Sequence, residues 1–345
     1  MNNVLKIMNN ERYDGMIIAQ FNNINYLSNY NPSSFAICLL KEDPIIFTTS
    51  LDKELAENTS YLPVKEFKSL SDLKQVFKEE KLKKIGIEGN LPIASYKKLE
   101  SDKSKKEDWD LSIVDFLEKS RMVKFQDELN NIKDATKIAH KSFLELEIRE
   151  KQEEKVTDWE IAYELGYLMR SNGASEESFE TIVATGPNTS LPHARSENKE
   201  LGNIVLMDWG SKYNGYCSDT SRTMIDDKNE KQKEIFDIVL QAYNGAIAGI
   251  KPGIKVCEID KIARSIIEEY GYGDKFIHST GHSLGLDIHE SPSVSKKDQT
   301  ILEKNMVITI EPGIYLEGEF GVRIEDTIIV GKNKGEIIGN LSYNI

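Results

Sequence analysis

Residues 203–219 constrain this chain more than any other stretch. Asn203-Ile-Val-Leu-Met-Asp208 is an apolar run that ends on a carboxylate, the pattern of a buried strand. Residues 211–214, followed by Gly215, have turn chemistry, and the chain returns through Tyr216-Cys-Ser-Asp219-Thr-Ser-Arg-Thr223. Such a hairpin can place Asp208 and Asp219 in one site although they lie eleven residues apart. Two carboxylates held close are costly unless a proton or a cation lies between them. The hairpin alone does not choose between such a site and two strand-end aspartates that face water.

Three downstream segments favour the site. His278-Ser-Thr-Gly-His282-Ser-Leu-Gly-Leu-Asp-Ile-His289-Glu-Ser-Pro292 holds three of the chain's five histidines. Val307-Ile-Thr-Ile-Glu311-Pro-Gly313 is an apolar strand that ends on a carboxylate. Gly321-Val-Arg323-Ile-Glu325-Asp-Thr327 sets Arg323 and Glu325 two apart, on one face of a strand. Two Asp, one His and two Glu make an oxygen-rich ligand set that suits hard or borderline divalent ions such as Mn, Co, Fe or Zn. Bridging carboxylates can hold two such ions close together, where they activate one water and clamp a tetrahedral intermediate.

Through these residues the chain resembles the pita-bread metallopeptidases, the family of prolidase (Xaa-Pro dipeptidase), aminopeptidase P and methionine aminopeptidase. The resemblance rests on Asp208 and Asp219, Thr280-Gly-His282, Glu311-Pro-Gly313 and Arg323-Ile-Glu325-Asp326, and it covers roughly residues 125–335. It implies that Asp208, Asp219, His282, Glu311 and Glu325 hold two divalent ions, Mn or Co ahead of Zn or Fe, with Asp219 and Glu325 as bridges. A water between the ions would lose its proton, and Glu311 would shuttle that proton to the leaving nitrogen. His289 and His193 would stabilise the oxyanion or hold the scissile carbonyl, and His278 would line the pocket. Ser221 would orient a ligand carboxylate, and Arg323 would hold nearby carboxylates by charge-assisted bonds.

The implied substrate is a peptide with proline second, cut after its first residue. No residue reads proline physically; that expectation comes from the resemblance, the short Glu311–Glu325 interval and a prolidase-like N-terminal region. Family prolidases of similar length carry an arginine shortly after the His-Glu-x-Pro run. Here Ser293 follows, with Lys296 and Lys297 beyond it. This departure shifts the expectation from a strict dipeptidase toward aminopeptidase P, although a lysine could serve as a point charge. Ser283 stands where the family often has glycine and is expected to narrow the pocket. The alternatives from other classes are a catalytically inactive pita-bread interaction module and a creatinase-like amidinohydrolase without metals. The intact carboxylates speak against both.

The length of 345 residues supports two domains. The expected division is an α/β, ribonuclease H-like, creatinase/prolidase-type domain over 1–121 and an α+β pita-bread catalytic domain over 122–345, with 120–124 as linker. The resemblance implies that the N-terminal domain shields the active site and supports a homodimer. A net charge of −13 argues against nucleic acid or an anionic membrane as partner. No apolar run reaches transmembrane length, and the N-terminus lacks a signal peptide's apolar core. Cys38, Cys217 and Cys257 are scattered and read as reduced, buried thiols in the cytoplasm. Apolar runs over 14–19, 35–40, 44–48, 84–88 and 180–185 predict strands. Helical spacing predicts helices over 70–79, 125–150, 158–170 with Thr157 as cap, 230–250 and 256–270. His140, on the longest of these, is assigned no role. The Lys- and Glu-rich stretch 101–108 reads as a solvated helix end or loop.

Overall fold

The computed structural model describes residues 2–100 and 109–343, so the predicted solvated stretch 101–108 lies outside the described residues. The chain divides into two compact units, Met1–Ser120 and Arg121–Ile345.

The first unit contains strands β1 (Gly15–Ile18), β2 (Ala36–Leu40), β3 (Ile45–Thr48), β4 (Val64–Glu66), β5 (Lys84–Ile87) and β6 (Asp110–Ile113). They form one mixed sheet of order β4-β3-β2-β1-β5-β6. Every residue of β1 and β2 is buried, which is why these runs are continuously apolar rather than alternating. Alternate residues serve the two faces. Met16, Ile18, Cys38 and Leu40 enter one apolar cluster, while Ile17, Ile37, Leu39 and Phe47 enter another. The helices are α1 (Asn2–Asn10), α2 (Phe21–Ser28), α3 (Lys53–Thr59), α4 (Leu70–Glu79) and α5 (Ile93–Leu99), and α6 (Phe116–Met122) leads out of the unit. Ser69 caps α4 in a box with Asp72, and Leu73, Val76 and Phe77 form its buried face.

The second unit opens with α7 (Gln126–Glu145), α8 (Ile148–Glu153) and α9 (Asp158–Ser171). The single helix expected over 125–150 is therefore two. Glu147 adopts the left-handed conformation, with φ 52°, and breaks the ladder between them. Thr157 caps α9 as expected, in a box with Glu160. Residues 120–124, read as a linker, are not a free tether. Lys124 is buried, its N–H donates to the Asn305 carbonyl at 3.1 Å, and Val123 bridges to Met306.

The strands of this unit are β7 (Glu176–Glu177), β8 (Ile182–Thr185), β9 (Val205–Trp209), β10 (Ser211–Tyr213), β11 (Tyr216–Cys217) and β12 (Thr220–Met224). After α10 (Glu230–Gly249) and α11 (Val256–Glu269) come β13 (Gly281–Ser283), β14 (Glu290–Val294), β15 (Val307–Ile310), β16 (Gly313–Leu316), β17 (Phe320–Arg323), β18 (Asp326–Val330) and β19 (Gly335–Ile337). A five-stranded antiparallel sheet of order β14-β13-β15-β18-β19 stands with two three-stranded sheets, β12-β9-β8 and β11-β10-β7, and the two-stranded sheet β16-β17. The stripe Ile235, Val239 and Tyr243 of α10 is core, together with Ile259, Ala263 and Ile267 of α11. Cys38 and Cys217 are buried, but Cys257 is partly exposed because it lies beside the buried stripe of α11.

Arg222 is wholly buried and holds the centre of this unit. It donates to Asp326 Oδ1 at 2.9 Å, to the Glu325 carbonyl at 2.6 Å and to the Ser342 carbonyl at 2.9 Å. Arg222→Ala leaves the buried Asp326 carboxylate without its cation. The variant is expected to lose on the order of 3–5 kcal/mol of stability, read as a lower melting temperature of the metal-loaded protein.

Candidate metal centre

The predicted hairpin exists but is bent. Ser221 of β12 stands opposite Asp208 of β9, and Thr220 opposite Trp209. Beyond Trp209 the arms change sheets, and β10 pairs with β11 across a turn in which Asn214 and Gly215 both have positive φ. Gly210 allows the bend, because a Cβ there would lie 1.9 Å from the Ser218 carbonyl oxygen. Asp208 therefore sits near the end of β9, and Asp219 lies between β11 and β12.

Two more carboxylates and one imidazole reach the same place. His282 is the middle residue of β13, Glu311 follows β15, and Glu325 lies between β17 and β18, where it bridges to Ser221. Asp219, His282 and Glu325 present ligand atoms all within 4.8 Å of one another. His282 Nε2 stands 3.4 Å from Asp219 Oδ2 and 3.6 Å from Glu311 Oε1. His282 Nδ1 donates to the Ser283 carbonyl at 3.1 Å, which leaves Nε2 to face the carboxylate oxygens. Asp208 Oδ1, Asp219 Oδ1 and Glu325 Oε1 are buried and have no hydrogen-bond partner among the described residues.

Buried carboxylates crowded together, three of whose oxygens have no hydrogen-bond partner, are unfavourable unless positive charge lies between them. The proton equilibria show the same shortage. Burial, followed by the charges of Asp208 and Glu311, pushes the Asp219 carboxyl well above its ordinary range. Burial and the Asp219 and Glu311 charges do the same to Glu325. Burial also raises Glu311, against the pull of His282 and Arg323. The donor set of four carboxylates and one imidazole fits divalent cations of hard or borderline character.

Arg323 organises the surroundings. It donates to Asp208 Oδ2 at 2.7 Å, Ser221 Oγ at 2.8 Å, Tyr315 Oη at 2.9 Å and the Pro192 carbonyl at 3.1 Å. Ser221 Oγ donates in turn to Glu325 Oε2 at 2.7 Å. One guanidinium thus ties two site carboxylates to the loop that carries His193. His278 Nδ1 donates to the Ser279 carbonyl at 2.8 Å, so its Nε2 accepts from Tyr315 Oη at 2.9 Å. Burial and then the Arg323 charge push the His278 pKa down to about 3. His278 is therefore neutral at neutral pH, with Nδ1 3.8 Å from Glu311 Oε2.

His289 stands at the exposed rim with its ring centroid 4.4 Å from that of His282. Partial desolvation and the neighbouring imidazoles of His282 and His193 push its pKa down. His193 is exposed on its loop, close enough for its charge to act on both His278 and His289. His140 is buried with Nε2 3.2 Å from Thr220 Oγ1 and takes no place in the pocket. The Ser283 hydroxyl is engaged by Lys124 Nζ at 3.1 Å.

Sequence reasoning missed Tyr315, which sits in the apolar run Gly313-Ile-Tyr-Leu316 with nothing to set it apart. It also missed Asp260 and Arg264 on α11. Arg264 donates to the His278 carbonyl at 2.9 Å, and Asp260 accepts from Thr280 Oγ1 at 2.9 Å. Their signal was an opposite-charge pair four residues apart on an otherwise apolar helix face.

Residues 130–332 match the model of metallopeptidase family M24, and residues 1–123 match the creatinase/prolidase N-terminal domain. The chain belongs to metallopeptidase family M24. It is similar to a Xaa-Pro dipeptidase of Pyrococcus horikoshii, with 39% identity over 96% of this chain and 93% of that one. The crystal structure of the prolidase from Pyrococcus horikoshii superposes with a TM-score of 0.90 at 36% identity, covering 99% of this chain and 98% of that one. An X-Pro aminopeptidase from Thermotoga maritima gives a TM-score of 0.89 at 32% identity, covering 100% and 98%. The fold is that of the pita-bread enzymes with a creatinase-type N-terminal domain, and membership of the family implies divalent metal. No helix among the described residues is long and apolar enough to cross a membrane.

Proposed function

We propose that this M24 enzyme cleaves the Xaa-Pro bond at the N-terminus of peptides, with Asp208, Asp219, His282, Glu311 and Glu325 as ligands of two divalent ions. The observation that carries the reading is the set of three buried carboxylate oxygens without hydrogen-bond partners, on Asp208, Asp219 and Glu325, two of which belong to residues clustered with His282. When bound, the ions supply an activated water at neutral pH and polarise the scissile carbonyl. Glu311 takes the proton of the attacking water on a carboxylate oxygen and passes it to the departing proline nitrogen. His289 and His193 donate to the carbonyl oxygen as its negative charge grows. Arg323 and Ser221 hold Asp208 and Glu325 in place throughout. The homodimer implied by the resemblance belongs to the same proposal and is read by sedimentation equilibrium.

Ser221→Ala removes the donor to Glu325 and an acceptor for Arg323. The variant is expected to bind metal about 10- to 100-fold more weakly, measured by titration against a chelator.

Two readings of substrate length have support. The names of relatives such as the Pyrococcus horikoshii dipeptidase favour Xaa-Pro dipeptides. Ser293, opposite His282 in the sheet where an arginine could have met a free carboxylate, favours longer peptides. Ala-Pro and Ala-Pro-Ala, each with added Mn or Co, separate them. Cleavage of the dipeptide alone makes the chain a strict dipeptidase, and preference for the tripeptide makes it an aminopeptidase. Failure to cut either with metal bound would overturn the proposed function.

A further inference from the structure

A buried cationic clamp lies behind two of the site histidines. The Lys124 side chain is 1% exposed. Its Nζ donates to Ser283 Oγ at 3.1 Å and to Glu290 Oε2 at 3.2 Å. Arg121 donates to the other oxygen of that carboxylate, Oε1, and to Asp287 Oδ2 at 2.7 Å. The Asp287 N–H adds a bond to Oε1 at 3.2 Å. The loop is built closely around this group, since a Cβ on Gly285 would lie 2.5 Å from Glu290 Oε1.

Ser283 and Glu290 are partners across β13 and β14. Each directly follows a site histidine, His282 and His289 respectively. The ladder shifts register between His282 and Ser283, so the bonds from Lys124 to Ser283 Oγ and Glu290 Oε2 fix the residue next to each imidazole at an irregular point of the sheet. A buried ion pair contributes little net stability compared with an apolar filling, but it fixes geometry. The two histidines do not depend on it equally. Ser283 is also paired to Ile308 of β15, so the backbone beside His282 is held from both edges. His289 leads into β14, the edge strand of the sheet, which only β13 pairs.

We propose that Lys124, assisted by Arg121, is a positioning residue that acts through Glu290 and Ser283 to set the His289 ring against the substrate carbonyl. The proposal rests on the peptidase reading of the pocket, and it assigns His289 the larger dependence on the clamp and His282 the smaller.

The test uses the zinc-loaded full chain with Lys124→Met and Ser283→Ala. Imidazole resonances, assigned through single His→Gln variants, are followed by nitrogen–proton correlation NMR. The His289 signals are expected to move in both variants, while those of His193 stay. With Ala-Pro as substrate, kcat for Lys124→Met is expected to fall about tenfold at unchanged metal content, since small misplacements of a reacting group are expensive. In a His289→Ala background, Lys124→Met should cost nothing further. Unmoved His289 signals in the folded variants, or a full Lys124→Met loss retained in the His289→Ala background, would overturn the proposal. If Lys124→Met does not fold, Ser283→Ala and Glu290→Gln carry the same measurement. If the wild-type chain cuts no Xaa-Pro bond but the His289 signals still move, the substrate reading falls and the clamp stands.

Discussion

Replacing Asp219 by alanine is expected to lower kcat/KM for Xaa-Pro hydrolysis by at least about three orders of magnitude. The proposed centre depends on carboxylates that hold two cations against one water. Losing a bridging group removes several kcal/mol of transition-state stabilisation, and each 1.4 kcal/mol is about tenfold in rate. The same substitution has a second, opposite effect. In the metal-free protein Asp219 is crowded by the charges of Asp208 and Glu311. Asp219→Ala or Asp219→Asn relieves that repulsion and should raise the melting temperature of the metal-free chain while lowering the gain from added metal. Turnover that survives Asp219→Ala, or a metal-free variant less stable than the wild type, would contradict the proposed ligand role.

Metal removal should destabilise the protein by an amount that depends on pH in a definite direction. In the cation-free fold the Asp219, Glu325 and Glu311 carboxyls are raised above the unfolded value of about 4. The folded chain then binds more protons than the unfolded chain between the two values. These groups therefore support folding fully below about pH 4 and lose that contribution as pH rises through their folded values. A divalent ion replaces the protons, so metal stabilisation must grow as pH rises. At a free metal concentration of 100 times Kd the expected gain is about 2.7 kcal/mol, or roughly 5–10 °C for a unit of this size. Melting curves with EDTA and with Mn, at pH 5, 6, 7 and 8, give the difference directly. A difference that is flat or shrinks with pH would mean that the cluster does not bind the ion.

Much of the architecture could be read in the sequence because its signals are local. The capped helices α4 and α9 follow from Ser69 with Asp72 and Thr157 with Glu160. The buried strands β1 and β2 follow from uninterrupted apolar runs. The break at Glu147 was invisible, because glutamate is a good helix former and only packing forces it to φ 52°. The stretch 120–124 read as a linker, whereas the partners of its two cations, Asp287, Glu290 and Ser283, lie far along the chain.

What the sequence determined by itself was the chemical inventory: two Asp, two Glu and one His, each in a short context that resembles one family. Residue type and local spacing suffice there, because carboxylates on apolar strands have few uses. What only the tertiary structure decided was which of their atoms lack partners, that His278 is a neutral acceptor for Tyr315, and that Lys124 and Arg121 grip the residues next to His282 and His289. Those properties depend on burial, on the direction of each hydrogen bond and on contacts between residues more than a hundred positions apart. None of these is encoded in a residue's immediate neighbours.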